Sequence, residues 1–89
     1  MIIIDITYTN PLSIIDQPLT PHKIFVEELS MLVVFVNYGR KVPRNGGIIL
    51  EKTTLSNAKE LVKRDPFFIN NIAEFSFTEF IDSSQTEKH

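Results

Sequence analysis

The sequence contains two side chains whose types and positions suit proton transfer. His22 follows Thr20, a plausible N-cap, and so opens a helix predicted over residues 20–31. Asp65 lies at the C-terminal end of a second predicted helix, immediately before a proline. A neutral imidazole accepts a proton near neutral pH, and a carboxylate on its other nitrogen fixes the tautomer and stabilises the cation that forms. We therefore treat His22 and Asp65 as a candidate catalytic pair.

Each of these two residues continues the apolar stripe of its own helix. The spacing i, i+3, i+4, i+7 is shared by two sets: His22, Phe25, Val26 and Leu29 in the first helix, and Ala58, Leu61, Val62 and Asp65 in the second. Each residue is predicted at the helix end whose dipole opposes its charge. A purely structural explanation of both residues remains open. A histidine in the first turn of a helix is commonly hydrogen-bonded to backbone, and an aspartate before proline commonly ends a helix.

The helices alternate with four predicted strands. The strands are predicted in MIIIDITYT (1–9), MLVVFVNYG (31–39), GIILEKTT (47–54) and AEFSFTEF (73–80), which are rich in β-branched or aromatic residues or alternate apolar with polar ones. The second helix is predicted from a capping signature at Ser56 or Asn57 to about Arg64. Segment 10–19, with two prolines, is predicted as a connection. This βαββαβ order predicts an α+β, ferredoxin-like fold with a four-stranded antiparallel sheet and two helices on one face.

This topology brings the ends of several elements to one edge of the sheet. The start of the first helix and the end of the second meet there, which would let His22 approach Asp65. Five further residues at this edge are candidates for substrate binding: Tyr8, Tyr38, Gly39, Arg40 and Arg44. Arginine binds anionic groups bidentately, and a phenol donates a hydrogen bond. The alternatives are capped strand ends for the tyrosines and a solvated turn for the basic residues, including Lys41, and for the basic residues we favour the turn.

Composition argues against several classes of function. Nine basic and eleven acidic residues give the 89-residue chain a net charge of −2, whereas nucleic-acid binding requires a basic footprint. There is no cysteine, and the two histidines are His22 and the terminal His89, so we expect no metal site. The loop GRKVPRNGG lacks the spacing of a phosphate-binding loop, and no pattern in the sequence requires a cofactor.

Length and hydropathy predict one domain in residues 1–82 and a polar tail in residues 83–89. Apolar runs are far shorter than the ~20 residues of a membrane-spanning helix, and the N-terminus lacks a basic signal-peptide region, so we expect a cytoplasmic protein that does not bind membranes.

A monomer of this length would be marginally stable. Strands that are apolar on both faces, with helices covering one face, predict a homodimer formed through the other face.

Taken together, these motifs resemble the YciI-like family of small ferredoxin-like proteins. The resemblance covers nearly the whole domain, and it is the order and spacing of the motifs that make it specific. The matching features are TYTNPL with Asp16 after it, the helix-opening His22, YGRKVPRNGGIILE, the DPF of Asp65 to Phe67, and the closing AEFSFTEF.

The resemblance implies a dimer of ferredoxin-like subunits and a site centred on a histidine and an aspartate, roles that fall on His22 and Asp65. It also implies kinship with enzymes that move protons on small, often aromatic or lactone-like molecules. The family usually has serine, glycine and proline where this chain has Tyr38, Gly39 and Arg40, and a glycine near Val33, so the serine hydroxyl is missing here.

Two hypotheses follow for the function. The first is a cofactor-free enzyme in which His22 performs lyase-, isomerase- or hydrolase-type acid–base chemistry on a small organic substrate. In it, Asp65 orients the imidazole and the loop from Arg40 to Asn45 closes the pocket. The second is a non-catalytic module on the same dimeric fold that binds a small ligand or another protein. The departures at Tyr38 and Arg40 favour the second hypothesis.

Overall fold

A computed structural model describes residues 1–83 as one antiparallel sheet with helical segments packed on one face. The strands are β1 (Ile2–Tyr8), β2 (Phe35–Arg40), β3 (Gly46–Glu51) and β4 (Ala73–Glu79), and the helices are α1 (Leu12–Ile15), α2 (Leu19–Ser30), α3 (Leu55–Val62) and α4 (Pro66–Ile69). The strand order is β2-β3-β1-β4. The predicted α+β, ferredoxin-like fold is therefore confirmed. His89 and most of the predicted tail lie outside the described residues.

The alternating pattern of β1 determines which side of the sheet becomes the core. Ile2, Ile4 and Ile6 are buried, and Ile4 lies opposite Ile49 of β3 and Phe77 of β4. The helices cover this face with their own apolar stripes, which complete one core cluster. Within residues 1–83 no helix has both the length and the apolarity needed to cross a membrane.

Helix α2 begins earlier than predicted. It starts at Leu19 with Pro18 in the N-cap position and no side-chain cap, so the predicted cap at Thr20 is wrong. The preceding segment, predicted as a connection, contains the four-residue helix α1. One helical turn is too short to show a periodic pattern, and this turn is fixed by burial of Ile15 in the core.

Helix α3 also has a different cap from the predicted one. Thr54 is its N-cap, and the Thr54 hydroxyl accepts a hydrogen bond from the Asn57 backbone N–H at 3.2 Å. The capping signature predicted at Ser56 or Asn57 therefore lies two or three residues too late. Because Thr54 is the N-cap of α3, it is not part of β3, and the strand ends at Glu51 and not at residue 54.

Strand β2 is shorter than its apolar sequence suggests. Residues 31–34 form a turn, and Val33 is fully exposed. The strand then pairs with β3 through a bulge, since Phe35 lies opposite Glu51 but Asn37 lies opposite Leu50. A bulge adds one residue to one strand, so it reverses which side chains face the helices from that point onward.

Glu51, at the end of β3, is fully buried among apolar neighbours. It lies opposite Ile2 on β1 and Phe35 on β2, and neither carboxylate oxygen has a hydrogen-bond partner among the described residues. Burial raises the pKa of Glu51 above its ordinary value of 4.5. An unpaired carboxyl in this position opposes folding, because its ionised form loses its solvation.

The raised pKa of Glu51 predicts a specific pH dependence of stability. The unfolded chain ionises this residue first, so the contribution of Glu51 to the free energy of unfolding falls as the pH rises above about 4.5, until the folded-state pKa is passed. Glu51→Gln should remove this contribution, and Glu51→Met should also relieve the unpaired polar group and stabilise the protein by about 1–3 kcal/mol. Urea unfolding between acid and neutral pH measures both effects.

The matched control for this measurement is Glu74→Gln, the same charge change at an exposed position of β4. It should keep the wild-type decline of stability with pH. The explanation is wrong if Glu51→Gln follows the same pH profile as the wild type.

Candidate functional site

Helix α2 holds His22 at the edge of the core. The residue lies in the first turn of the helix, where its backbone N–H donates to the Pro18 carbonyl at 2.9 Å. Further along the same stripe, Phe25, Val26 and Leu29 are buried against the sheet. Their burial fixes the rotation of the helix, so the His22 side chain turns inward and is only 16% exposed.

Asp65 is the N-cap of the separate one-turn helix α4. Its Oδ1 accepts a hydrogen bond from the Phe67 backbone N–H at 2.9 Å, and Pro66 occupies the first turn. The prediction that Asp65 lies at an unfavourable helix C-terminus is therefore wrong, because α3 ends at Val62 and Asp65 begins the next helix. A carboxylate is favoured at an N-terminus. Asp65 is nevertheless completely buried.

The two predicted catalytic residues are in direct contact. His22 Nδ1 and Asp65 Oδ1 are 2.8 Å apart. An ionised carboxylate has no hydrogen to give, so Nδ1 donates, and in the neutral imidazole Nε2 then keeps its lone pair. The arrangement can therefore orient an imidazole whose free nitrogen accepts a proton.

Phe67 supports the imidazole from one face. The two rings are stacked with centroids 3.9 Å apart and planes inclined by 10°. Asp65 thus fixes the ring at one edge while Phe67 fixes its plane. Phe67 was not among the predicted site residues. The Asp-Pro pair that precedes Phe67 could have indicated a new helix here, since aspartate followed by proline is typical of an N-cap and the first helical residue.

The second oxygen of Asp65 has no partner. Oδ2 is buried and makes no hydrogen bond within residues 1–83. The described side-chain partner of this buried carboxyl group is therefore His22, whose Nδ1 lies 2.8 Å from Oδ1.

The pair opens onto a cavity of about 520 Å³ between α2 and the sheet. Cavities of this size bind small organic molecules. Those lining residues that carry polar or aromatic side chains are Tyr8, His22, Lys23, Glu27, Tyr38, Arg40, Arg44 and Phe67, and the remainder are Ile6, Leu19, Val26, Gly39, Gly46 and Gly47.

All five residues predicted to bind substrate line this cavity: Tyr8, Tyr38, Gly39, Arg40 and Arg44. The ring of Tyr8 meets Phe67 edge to face, with centroids 5.6 Å apart. The bulge in β2 places Tyr38 opposite Ile49 and Arg40 opposite Gly47, on the helix-facing side. Lys41 contacts Asp5 at 2.6 Å and does not line the cavity.

Arg44 joins two segments at the mouth of the cavity. Its guanidinium donates a hydrogen bond to Asp16, the residue that follows α1. That hydrogen bond raises the pKa of Arg44 above its ordinary value, and the Tyr8 phenol acts in the same direction. Within the predicted solvated turn, Arg44 is therefore tied to Asp16 by an ion pair.

No metal-binding cluster accompanies the pair. Within residues 1–83, no three histidine, aspartate or glutamate side chains come together in a way that could hold a metal ion. The side chains that the cavity offers to a ligand include hydrogen-bond donors, cations, aromatic rings and the carboxylate of Glu27.

No protein-family model matches the chain, and the search of curated proteins found no match. The fold is similar to a solved structure, the 5-chloro-2-hydroxyhydroquinone dehydrochlorinase TftG from Burkholderia phenoliruptrix AC1100 in complex with 2,5-dihydroxybenzoquinone. The TM-score is 0.73 at 13% sequence identity, and the match covers 98% of this chain and 100% of that one. At this identity the likeness shows that the two proteins share a fold.

The contact with Asp65 predicts the tautomer of His22. At about pH 8.5, where an ordinary histidine is neutral, long-range ¹H–¹⁵N NMR spectra should show hydrogen on Nδ1. Asp65→Asn keeps a good N-cap but removes the charge, and should give a mixture of tautomers. Phe67→Leu removes the stacked ring but leaves the acceptor, so the wild-type tautomer should persist. Hydrogen on Nε2 in the wild-type protein would contradict this geometry.

Proposed function

We propose that the protein is a cofactor-free enzyme in which His22 transfers a proton on a small organic substrate bound in the cavity. The observation that carries this proposal is the 2.8 Å hydrogen bond between His22 Nδ1 and the buried Asp65. This bond leaves Nε2 as the basic nitrogen of a side chain that lines the cavity. The reaction class is lyase-, isomerase- or hydrolase-type acid–base chemistry.

The proposed step begins with a substrate that has an acidic C–H or O–H group. His22 Nε2 takes the proton, and the bonding electrons stay on the substrate as an enolate or alkoxide. The carboxylate of Asp65 stabilises the resulting imidazolium. The same nitrogen then returns the proton to another atom of the substrate or to a leaving group, which restores the neutral imidazole. Arg40 and Tyr38 line the same cavity and are placed to bind the oxygen where negative charge develops.

Two further observations support this chemistry. The sequence resembles the YciI-like family, whose proposed site is centred on a histidine and an aspartate. The structural neighbour is a dehydrochlorinase with a dihydroxybenzoquinone bound. Loss of hydrogen chloride removes a proton from an organic molecule, which is the kind of step proposed here for His22.

The alternative function is a non-catalytic module that binds a small ligand. The observation that favours it is the departure from the family pattern at Tyr38 and Arg40, because both side chains line the cavity beside His22. Such a module would bind a ligand without moving a proton.

Proton exchange with solvent separates the two functions. In D₂O, the wild-type protein should catalyse exchange of deuterium into some members of a panel of small enolisable ketones and phenols, followed by ¹H NMR. His22→Gln should lower the rate by about 10²–10⁴-fold, because it removes the base. Asp65→Asn should lower it by about tenfold or more, because the imidazole loses its partner. Binding of these compounds without exchange would support the module.

The homodimer is also a proposal, and it rests on the sheet face that the helices leave uncovered. Ile3, Ile48 and Leu50 belong to this face and are only partly buried, and Ile3 lies opposite Leu50. Asp5 and Lys41 form an ion pair beside them. An apolar patch with a polar margin is typical of an interface. A second copy of the chain placed on this face would bury the patch.

Light scattering tests the dimer. We expect a species of about 20 kDa, twice the chain mass of 10.2 kDa. Ile48→Glu should give monomers, because it places a charge in the centre of the interface. Val33→Glu is the matched control, since Val33 is fully exposed in the turn before β2. A wild-type species of 10 kDa at micromolar concentration would refute this interface, which requires about 1,000 Å² of buried surface.

A further inference from the structure

Two cations that line the cavity, Lys23 and Arg40, form no ion pair within the described part of the chain, and Arg40 is the one that the sheet itself holds. Arg44 is paired with Asp16, whereas Arg40 makes no ion pair or hydrogen bond to another side chain within residues 1–83. Arg40 lies opposite Gly47 of β3, and its side chain lines the cavity. An arginine that faces a site without a counter-charge within the protein is suited to bind an anion from outside it.

The sheet offers an open surface next to Arg40. Across the strands, Arg40, Gly47 and Ile6 form one row on the helix-facing side. Neighbouring strands are about 4.8 Å apart, so the backbone of Gly47 separates the two outer Cα atoms by roughly 10 Å. A Cβ atom at Gly47 would lie 3.2 Å from the Gly39 carbonyl oxygen, which is a tight contact. The middle position of the row, Gly47, has no side chain, so a flat molecule can lie against the backbone there.

The charges and rings around this surface match a planar anion. The cavity is lined by three permanent cations, Lys23, Arg40 and Arg44, and by one acid, Glu27. Since Asp16 compensates Arg44, one positive charge remains in excess. Aromatic rings line the cavity as well, among them Phe67 stacked on His22.

We infer that the ligand of this site is a small planar monoanion whose carboxylate, or equally acidic enolate, is bound by Arg40. Its carbon skeleton lies over Gly47, and its transferable hydrogen faces His22 Nε2. The position of the transferable hydrogen rests on the proposed proton transfer, whereas the binding of the anion by Arg40 does not. The guanidinium is planar and presents two parallel N–H donors, so it recognises a carboxylate in the plane of the ligand.

Three probes of similar size test this inference: benzoate, its neutral analogue benzamide, and the non-planar cyclohexanecarboxylate. Dissociation constants are measured at low salt by ¹H–¹⁵N NMR titration, with the amides of Gly47 and Arg40 as reporters. Benzoate should bind the wild-type protein saturably and at least tenfold more tightly than either other probe. Raising the salt concentration should weaken its binding, because the contact is electrostatic.

Variants of Arg40 provide the decisive comparison. Arg40→Gln should weaken benzoate at least tenfold, to the level of benzamide, and Arg40→Lys should fall between the two because it keeps the charge but loses the bidentate geometry. Arg64→Gln is the matched control, since Arg64 is paired with Glu28 outside the cavity and its loss should leave binding unchanged. Equal binding of benzamide and benzoate, benzoate binding unaffected by Arg40→Gln, or no saturable benzoate binding would each overturn the inference.

The two proposals fail separately. His22→Gln should retain benzoate binding, so an anion site that depends on Arg40 would stand even if no compound exchanges its protons. Conversely, proton exchange that is lost in His22→Gln, together with benzoate binding that is unaffected by Arg40→Gln, would overturn the anion site and leave proton transfer by His22 in place.

Discussion

The buried oxygen Oδ1 of Asp65 is the atom on which the geometry of this site depends. It accepts one hydrogen bond from the Phe67 backbone, which starts α4, and another from His22 on α2. Two elements that are distant in sequence are thereby fixed to one atom. Burial makes both bonds necessary, because a carboxylate without them would be left with no compensation in an apolar environment. The orientation of the imidazole thus depends on α4, the short helix that Asp65 caps and that precedes the last strand.

The sheet contributes to the same site through two adjacent glycines. A Cβ atom on Gly46 would lie only 1.8 Å from the Ile6 carbonyl oxygen, so β1 and β3 can approach this closely only because Gly46 has no side chain. Gly47, the next residue, leaves the helix-facing surface bare between Ile6 and Arg40. Gly46 therefore permits the strand pairing, and Gly47 leaves room in the cavity that His22 also lines.

The two fully buried carboxyl groups of the described chain show how location decides the role of a charge. Asp65 has a hydrogen-bonded partner in His22 and lies beside the cavity. Glu51 lies at the end of β3 away from the cavity, and neither of its oxygens has a hydrogen-bond partner within residues 1–83. The charge of Asp65 is compensated by its contact with His22, so Asp65 can assist that residue as a base. The carboxyl group of Glu51 opposes folding, because no contact among the described residues offsets the burial of its charge.

The sequence by itself determined the order of the four strands and of the two longer helices, the fold class and the approach of His22 to Asp65. Hydrophobic periodicity is a local property, and the few ways of packing a βαββαβ chain then bring the start of α2 close to the segment that follows α3, where Asp65 lies. Two features were decided only by tertiary structure: Phe67 stacks on His22, and the bulge at Val36 turns Tyr38 and Arg40 toward the cavity. The first depends on a partner that is remote in sequence and the second on the register of a neighbouring strand, and no local pattern encodes either.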